Sequence, residues 1–259
     1  MPSALTARFA LAAFAYTLTA CSSSSGPGTA TEIKVAAASD LTHAFEKLGA
    51  EFTAKTSKKV TFSFGSSGLL AKQIAQGAPF DVFAAANVSF VDDAVSSGRC
   101  DASTKQLYAR GKLAVWTKAG TKVQSLADLK SNAYTKVAIA NPEHAPYGRA
   151  AREALQKAAL WDDLKPKLVF GENVLQALQY AQTGNADAAI VSFSLVKNAP
   201  GETFEIAESE HAPLQQALVV CGTGPQKTVA SEFATFVTSP RGRAVLSEFG
   251  FLAPANSPP

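Results

Sequence analysis

The sequence predicts an α/β protein with two lobes, whose mainly parallel sheets are flanked by helices and face each other across a ligand cleft. The first observation is a repeated alternation of short apolar strands and amphipathic helices, which is typical of parallel sheets with helices on both faces. The second is that four strand-to-helix turns are rich in serine, glycine, asparagine and proline. The third is a pair of strands, near residues 109–116 and 214–221, that are placed to carry the chain between two lobes.

The first strand, Ile33–Ala38, is apolar and ends at Ser39 and Asp40, where leucine and phenylalanine begin to recur at helical spacing. Ser39 or Asp40 therefore occupies the N-cap position of the predicted helix. The first N–H groups of a helix lack intrahelical partners and carry a partial positive charge, so such a turn can bind an anion. Any capped helix start has these properties, and this one gains significance because the arrangement recurs along the chain.

Three later turns repeat this arrangement. The second turn, residues 65–68, places two serines between two glycines after an alternating strand. The third, residues 141–148, has a proline suited to a first helical turn, and the fourth, residues 171–174, opens a helix that ends before a glycine. None of the four turns contains lysine, and the only nearby cation is Arg149. An anion bound at these turns would therefore be held by dipolar donors and not by a counter-charge.

The remaining elements complete the alternation and suggest how the lobes divide. Further strands are predicted at residues 80–86, 108–117, 137–140, 187–191 and 214–220, and further helices after Asn87 and at residues 125–129, 229–237 and 241–249. We assign residues 31–110 and 218–256 to the first lobe and residues 111–217 to the second.

The first thirty residues predict an exported lipoprotein. An apolar segment, residues 9–18, is too short for a comfortable membrane span and has the form of a secretory signal. It leads to Leu-Thr-Ala-Cys, which resembles the bacterial lipobox, where the cysteine, here Cys21, becomes the lipid-modified first residue. Residues 1–20 are then a lipoprotein signal peptide, residues 21–30 a flexible tether, and the protein is periplasmic and attached to the membrane only through lipid. An ordinary signal peptide with a chance cysteine is the alternative.

Composition and motifs favour a binding protein without a cofactor over an enzyme. A net charge of +3 is small for 259 residues and gives no basic surface of the kind that binds nucleic acid. The three histidines are not spaced as metal ligands, and no nucleophile elbow or phosphate-binding loop motif is present. His144 stands in the third turn and could be a ligand or a base, although a hydrogen-bonded loop histidine is the commoner case.

Cys100 and Cys221 are the cysteines that remain beyond Cys21. An oxidising compartment permits a disulfide between them. Two separate buried thiols are equally compatible with the sequence, because a disulfide requires a geometry that the sequence does not reveal.

Five ordered motifs resemble those of the periplasmic molybdate-binding proteins of ABC transporters. They are Ala36-Ala37-Ala38-Ser39-Asp40-Leu41, Phe64-Gly65-Ser66-Ser67-Gly68, Gln76-Gly77-Ala78-Pro79-Phe80-Asp81, Asn141-Pro142-Glu143-His144-Ala145-Pro146-Tyr147-Gly148 and Gly171-Glu172-Asn173-Val174. The resemblance covers residues 32–253 and implies a periplasmic-binding-protein fold that closes on molybdate or tungstate and delivers it to a membrane permease. It also implies that the hydroxyls of Ser39 and Ser67, and main-chain N–H groups near Tyr147 and Val174, hold the oxygens, with no protein atom bound to the metal.

Two positions depart from the family pattern. Many members place a tyrosine where this chain has Ser192, so a phenolic donor is lost or replaced by a smaller hydroxyl. Asp40 stands where some relatives have asparagine. Because a carboxylate facing an oxyanion would repel it, we expect the Asp40 side chain to cap its helix while its N–H contributes to the site.

The sequence thus predicts a monomeric, lipid-anchored molybdate- or tungstate-binding component of an ABC importer. The alternative ligand is sulfate, which is also tetrahedral and accepts hydrogen bonds only. A secreted hydrolase or transferase acting on a phosphorylated substrate is the rival from another class, but the sequence shows no nucleophile and base for it. An adhesion or scaffolding lipoprotein would leave the four turns unexplained.

Overall fold

The computed structural model describes Met1 and residues 31–255. The described residues form two five-stranded sheets with helices packed against them, which confirms the α/β class. Cys21, the predicted tether and the predicted signal peptide after Met1 lie outside the described residues. None of the helices in residues 31–255 has the length and apolar character needed to cross a membrane.

The elements alternate along the chain much as the sequence predicts. The strands, in chain order, are β1 (Glu32–Ala38), β2 (Lys59–Gly65), β3 (Val82–Ala85), β4 (Gln106–Gly111), β5 (Leu113–Thr117), β6 (Val137–Ala140), β7 (Leu168–Gly171), β8 (Ala188–Ser192), β9 (Glu202–Ile206) and β10 (Leu214–Val220). The α-helices are α1 (Thr42–Thr56), α2 (Ser67–Ala75), α3 (Val88–Ser96), α4 (Pro146–Lys157), α5 (Trp161–Leu164), α6 (Val174–Thr183), α7 (Phe193–Val196), α8 (Gly224–Thr238) and α9 (Pro240–Glu248). Short 3-10 turns cover Ser39–Leu41, Ala102–Thr104, Leu126–Lys130, Lys165–Lys167 and Glu208–Glu210.

In each sheet, four strands run in one direction and one runs against them. The first sheet has the order β2-β1-β3-β10-β4, and β10 is antiparallel to both of its neighbours. The second has the order β7-β6-β8-β5-β9, and β5 is antiparallel to both of its neighbours. The reversed strand is in both cases the first one after the chain crosses from the other lobe. Each sheet therefore contains both parallel and antiparallel strand pairs. The apolar sequences of β5 and β10 do not reveal that these strands run against their neighbours.

The first crossing between the lobes lies at Lys112. The strand predicted over residues 108–117 is in fact two strands, because β4 ends at Gly111 in the first sheet and β5 begins at Leu113 in the second. A Cβ atom on Gly111 would lie 2.1 Å from the hydroxyl oxygen of Tyr147 in the second lobe. Glycine is therefore required where the lobes approach each other at this crossing.

The return crossing is the segment of residues 207–213, between β9 and β10. Strand β10 pairs with the first sheet from Leu214 to Val220. The predicted lobe boundary between residues 217 and 218 thus falls inside a strand of the first sheet.

Strand β1 is buried on both faces from Val35 onward, which explains its run of apolar residues. Val35 and Ala37 belong to a large core that includes α1 and α8, whereas Ala36 belongs to a second cluster with residues of α2 and α3. All three side chains are fully buried. The turn that follows β1 is consequently held at the edge of a rigid sheet, facing the second lobe.

Cys100 and Cys221 are joined by a disulfide. Cys221 directly follows β10, and its N–H donates a hydrogen bond to the carbonyl oxygen of Asp81 at 2.8 Å. The disulfide therefore connects the end of β10 to the segment after α3, within the first lobe.

Candidate functional site

Chain segments from both lobes meet at a small polar cavity. The turn after β1 and the start of α2 come from the first lobe, and the starts of α4 and α6 come from the second. The cavity holds about 190 Å³ of empty space, its opening included, which suits a small ion better than a sugar or a peptide. The lining residues are Ala38, Ser39, Asp40, Gly65, Ser66, Ser67, Ala86, Ala145, Pro146, Tyr147 and Val174. All four sequence-predicted turns contribute to this lining.

Ser39 presents an unpaired hydroxyl at the cavity. The residue is buried, and among the described residues its hydroxyl has no hydrogen-bond partner. Its carbonyl oxygen accepts a hydrogen bond from the Thr42 hydroxyl at 2.9 Å, which fixes the turn. The N-cap of this turn is Ala38, without a side-chain cap, so Ser39 does not act as the cap that the sequence suggested.

Ser67 and Val174 are the first residues of helices α2 and α6, and Tyr147 is the second residue of α4. Because the first N–H groups of a helix lack intrahelical acceptors, three helix N-termini with positive ends border the cavity. The Ser67 hydroxyl oxygen accepts a hydrogen bond from the Ala86 N–H at 3.0 Å. Its own hydrogen is therefore free to be donated to another acceptor.

Asp40 is not a helix cap, which corrects the expectation drawn from the sequence. Its side chain is buried, and its Oδ2 atom accepts a hydrogen bond at 2.7 Å from Nε2 of Gln216 in strand β10. Its Oδ1 atom has no hydrogen-bond partner among the described residues. Burial raises the pKa of the Asp40 carboxyl to about 6, and the hydrogen bond from Gln216 only partly offsets this rise.

Gln216 connects the two lobes behind the cavity. It is fully buried, its Nε2 also contacts the Tyr147 hydroxyl at 3.2 Å, and its Oε1 accepts a hydrogen bond from the Tyr108 hydroxyl at 2.7 Å. Burial, together with the nearby Asp40, raises the pKa of both tyrosines well above the usual value. The two phenols therefore remain protonated and act as hydrogen-bond donors and acceptors.

Ser192 is fully buried and does not line the cavity. Its hydroxyl oxygen lies 2.7 Å from that of Ser194, which donates a hydrogen bond to the Asp40 carbonyl oxygen at 2.7 Å. The structure thus brings Ser39, Asp40, Ser67, Tyr147 and Val174 together at the cavity and places Ser192 behind them.

Sequence reasoning did not identify Gln216 as part of the site. The available signal was a polar residue inside the apolar strand β10. Gln215 is its direct neighbour, however, and only the register of β10 in the sheet shows which of the two is buried.

The electrostatics of the cavity favour a ligand that only accepts hydrogen bonds. Among the described residues, the lining contains no lysine or arginine, and no three His, Cys, Asp or Glu side chains are grouped so that they could hold a metal ion. The available groups are hydroxyls, backbone N–H groups and the Asp40 carboxyl. The hydroxyls and N–H groups can surround an anion through its oxygens, whereas the Asp40 carboxyl accepts a hydrogen bond from Gln216 instead.

Comparison with known proteins agrees with this geometry. A family model described as bacterial extracellular solute-binding protein matches residues 33–252. The molybdate-binding protein ModA of Rhodobacter capsulatus is 34% identical over 227 residues, which cover 87% of this chain and 90% of the relative. The chain belongs to the ModA family of bacterial extracellular solute-binding proteins.

Two further relatives extend the comparison for this solute-binding protein. The putative ABC transporter substrate-binding lipoprotein YvgL of Bacillus subtilis is 31% identical, over 95% of this chain and 97% of the relative. The solved structure of the periplasmic molybdate-binding protein of Azotobacter vinelandii superposes with a TM-score of 0.82 at 29% identity, covering 86% of this chain and 99% of that one. The periplasmic-binding-protein fold implied by the sequence motifs is thereby confirmed.

Proposed function

We propose that this solute-binding protein captures molybdate or tungstate in the cavity and delivers it to the permease of an ABC importer. The observation that carries the proposal is the convergence of Ser39, Ser67, Tyr147 and Val174 on one cavity whose described lining has no cation. These are the positions at which the family motifs imply oxygen contacts. The protein acts by binding and release, without catalysis and without a cofactor.

The two serine hydroxyls supply donors from the first lobe. The Ser67 hydroxyl oxygen accepts a hydrogen bond from the Ala86 N–H, which leaves its own hydrogen for the oxyanion. The Ser39 hydroxyl has no described partner to give up when the ligand arrives. Hydrogen bonds to a charged ligand are worth about 1.5–3 kcal/mol each, so two such donors account for a large part of the affinity.

The second lobe supplies backbone donors. The N–H groups of Tyr147 and Val174 lie in the first turns of α4 and α6, where the helix dipole favours negative charge. The Asp40 N–H adds a donor from the first lobe. Ser192 contacts Ser194, whose hydroxyl donates to the Asp40 carbonyl oxygen behind the site. Donors from both lobes would make closure and binding a single event.

Calorimetric titration with molybdate, tungstate, sulfate, phosphate and a phosphomonoester tests the proposal. We expect molybdate and tungstate to bind more tightly than sulfate, and the phosphomonoester to be neither bound nor hydrolysed. At 1,000 times its dissociation constant, a ligand stabilises the folded state by about 4 kcal/mol, so a thermal shift series should give the same ranking. A preference for sulfate would reassign the ligand, and turnover of the phosphomonoester would overturn the assignment as a binding protein.

We further propose that Cys21 carries the lipid anchor and that the exported protein is a monomer. The lipobox-like sequence before Cys21 supports the anchor, and the relative from Bacillus subtilis is described as a lipoprotein. Mass spectrometry should find a diacylglycerol mass on a peptide beginning at residue 21, and Cys21→Ala should release the protein from membranes. Light scattering of a chain beginning at residue 31 should give the mass of one copy.

A further inference from the structure

The two adjacent serines of the second turn have different partners. The Ser67 hydroxyl oxygen accepts a hydrogen bond within the first lobe, from the Ala86 N–H. The Ser66 hydroxyl instead reaches across the cleft to His144, donating to its carbonyl oxygen at 2.7 Å and lying 2.9 Å from its Nδ1 atom. Ser66 is 3% exposed, so this contact is shielded from water.

A hydroxyl has one hydrogen to donate. The Ser66 hydrogen can go to the carbonyl oxygen of His144, with the ring protonated on Nδ1, or to an unprotonated Nδ1, and either arrangement engages it with His144. Burial is the main reason why the pKa of His144 is lowered, in agreement with a neutral ring. Ser66 therefore has no hydrogen left for an oxyanion, although it lines the cavity.

Gly68 brings the same two turns together. Its N–H, which belongs to the first turn of α2, donates to the His144 carbonyl oxygen at 3.0 Å. A Cβ atom at this position would lie 2.6 Å from that oxygen and 3.0 Å from the Phe90 ring. The absence of a side chain therefore permits the approach. Next to this contact, the Arg149 guanidinium of the second lobe lies over the Phe90 ring of the first, 4.8 Å from its centroid.

We propose that Ser66 is a positioning residue that latches the closed lobes through His144 and so sets the dissociation rate of the oxyanion. The proposal rests on the proposed function. Ser66 directly precedes the donor Ser67, and His144 lies three residues before the donor Tyr147. Their contact holds donors from opposite lobes at a fixed separation without contributing a hydrogen bond to the ligand.

Stopped-flow kinetics of molybdate binding and release, in Ser66→Ala and the exposed control Ser63→Ala, test the latch. Removing the Ser66 hydroxyl removes both of its contacts with His144, so we expect release to accelerate about tenfold while the association rate stays within twofold. His144→Ala keeps the carbonyl acceptor and should accelerate release less than Ser66→Ala does. Ser63→Ala, on the exposed part of β2, should match the parent.

The melting temperature of each ligand-free variant separates a latch from a role in folding. Unchanged melting temperatures with faster release support the latch, whereas an unchanged release rate in Ser66→Ala overturns it. If the parent binds no oxyanion at all, the proposed function fails. The latch is then judged from pulsed EPR distances between spin labels on the two lobes: a larger open population in Ser66→Ala supports it, and identical distance distributions refute it.

Discussion

At the scale of single residues, the site is defined by which polar groups already have partners. Ser39 and Ser67 retain a hydrogen to donate, whereas the Ser66 hydrogen is occupied by His144. The Asp40 carboxyl is the one acidic group in the described lining, and it lies next to the hydroxyl of Tyr147. The described lining contains no cation that could pair with this carboxyl. The proposed binding groups are therefore distinguished by unused hydrogen-bonding capacity and not by residue type alone.

Replacing either donor serine by alanine should weaken molybdate binding tenfold to a hundredfold, because each hydrogen bond to a charged ligand is worth about 1.5–3 kcal/mol. The two variants should differ in ligand-free stability. Ser67→Ala leaves the buried Ala86 N–H without its acceptor and should lower the free energy of unfolding by about 1 kcal/mol or more, whereas Ser39→Ala should not. Calorimetry and urea unfolding measure the two effects. Parent-like affinity in both variants would contradict the assigned donors.

Asp40 should make stability depend on pH. Its pKa is about 6 in the folded protein and 3.8 in the unfolded reference. As pH rises from about 4 to about 6, the unfolded chain therefore loses this proton first, and the free energy of unfolding falls by about 3 kcal/mol. The loss should be complete above that window.

Asp40→Asn is the matched variant, because an asparagine oxygen can still accept the hydrogen bond from Gln216. We expect Asp40→Asn to equal the parent near pH 4 and to exceed it in stability at pH 8, as measured by urea unfolding at each pH. Parallel curves for the two proteins across this range would show that the Asp40 carboxyl does not titrate as described.

At the scale of elements, local chemistry predicted most of the fold. Each of the four turns could be identified from adjacent residues alone, as an apolar strand followed by the start of a helix. All four turns line the cavity. Strand β9, Glu202–Ile206, gave no such signal, since it is an edge strand with alternating polar residues that pairs only with β5. The burial of Gln216 and the division of the predicted strand into β4 and β5 at Lys112 depend on contacts between distant segments. A local sequence pattern does not encode such contacts.

Helix α6 allows its backbone donor to be tested by deleting a single N–H. In Val174→Pro the proline would occupy the first helical position, which proline favours, and the preceding Asn173 already has the extended conformation that proline requires. The helix should persist, as α4 does with Pro146 at the same position. Loss of the donor should weaken molybdate binding tenfold to a hundredfold.

Val174→Ala keeps the N–H and serves as the packing control for this substitution. We expect it to bind molybdate almost as tightly as the parent, with a melting temperature that reports only the lost methyl groups. Calorimetry and ligand-free melting should be measured on both variants. If Val174→Pro bound molybdate as tightly as the parent at unchanged stability, this junction would have no role in binding.

At the scale of the whole molecule, stability and binding are separated in space. The cavity proposed as the binding site lies between the lobes, whereas the disulfide between Cys100 and Cys221 lies in the first lobe and neither cysteine lines the cavity. The bond joins residues 121 positions apart in the sequence, and the chain between them includes the entire second sheet. Constraining so long a segment restricts the unfolded chain far more than it alters the native site.

Reduction of this disulfide should therefore lower the free energy of unfolding by about 2–5 kcal/mol while leaving molybdate affinity within twofold of the oxidised protein. A chain beginning at residue 31 retains only these two cysteines, so intact mass with and without alkylation reports their state directly. Melting and calorimetry, compared between the oxidised protein, the reduced protein and the double variant Cys100→Ser, Cys221→Ser, measure the two quantities. The double variant should resemble the reduced protein and be insensitive to reductant.

Two free thiols in the exported protein would exclude the bond. A large loss of affinity at a temperature where the reduced protein is fully folded would show instead that the first lobe transmits its constraint to the binding cavity.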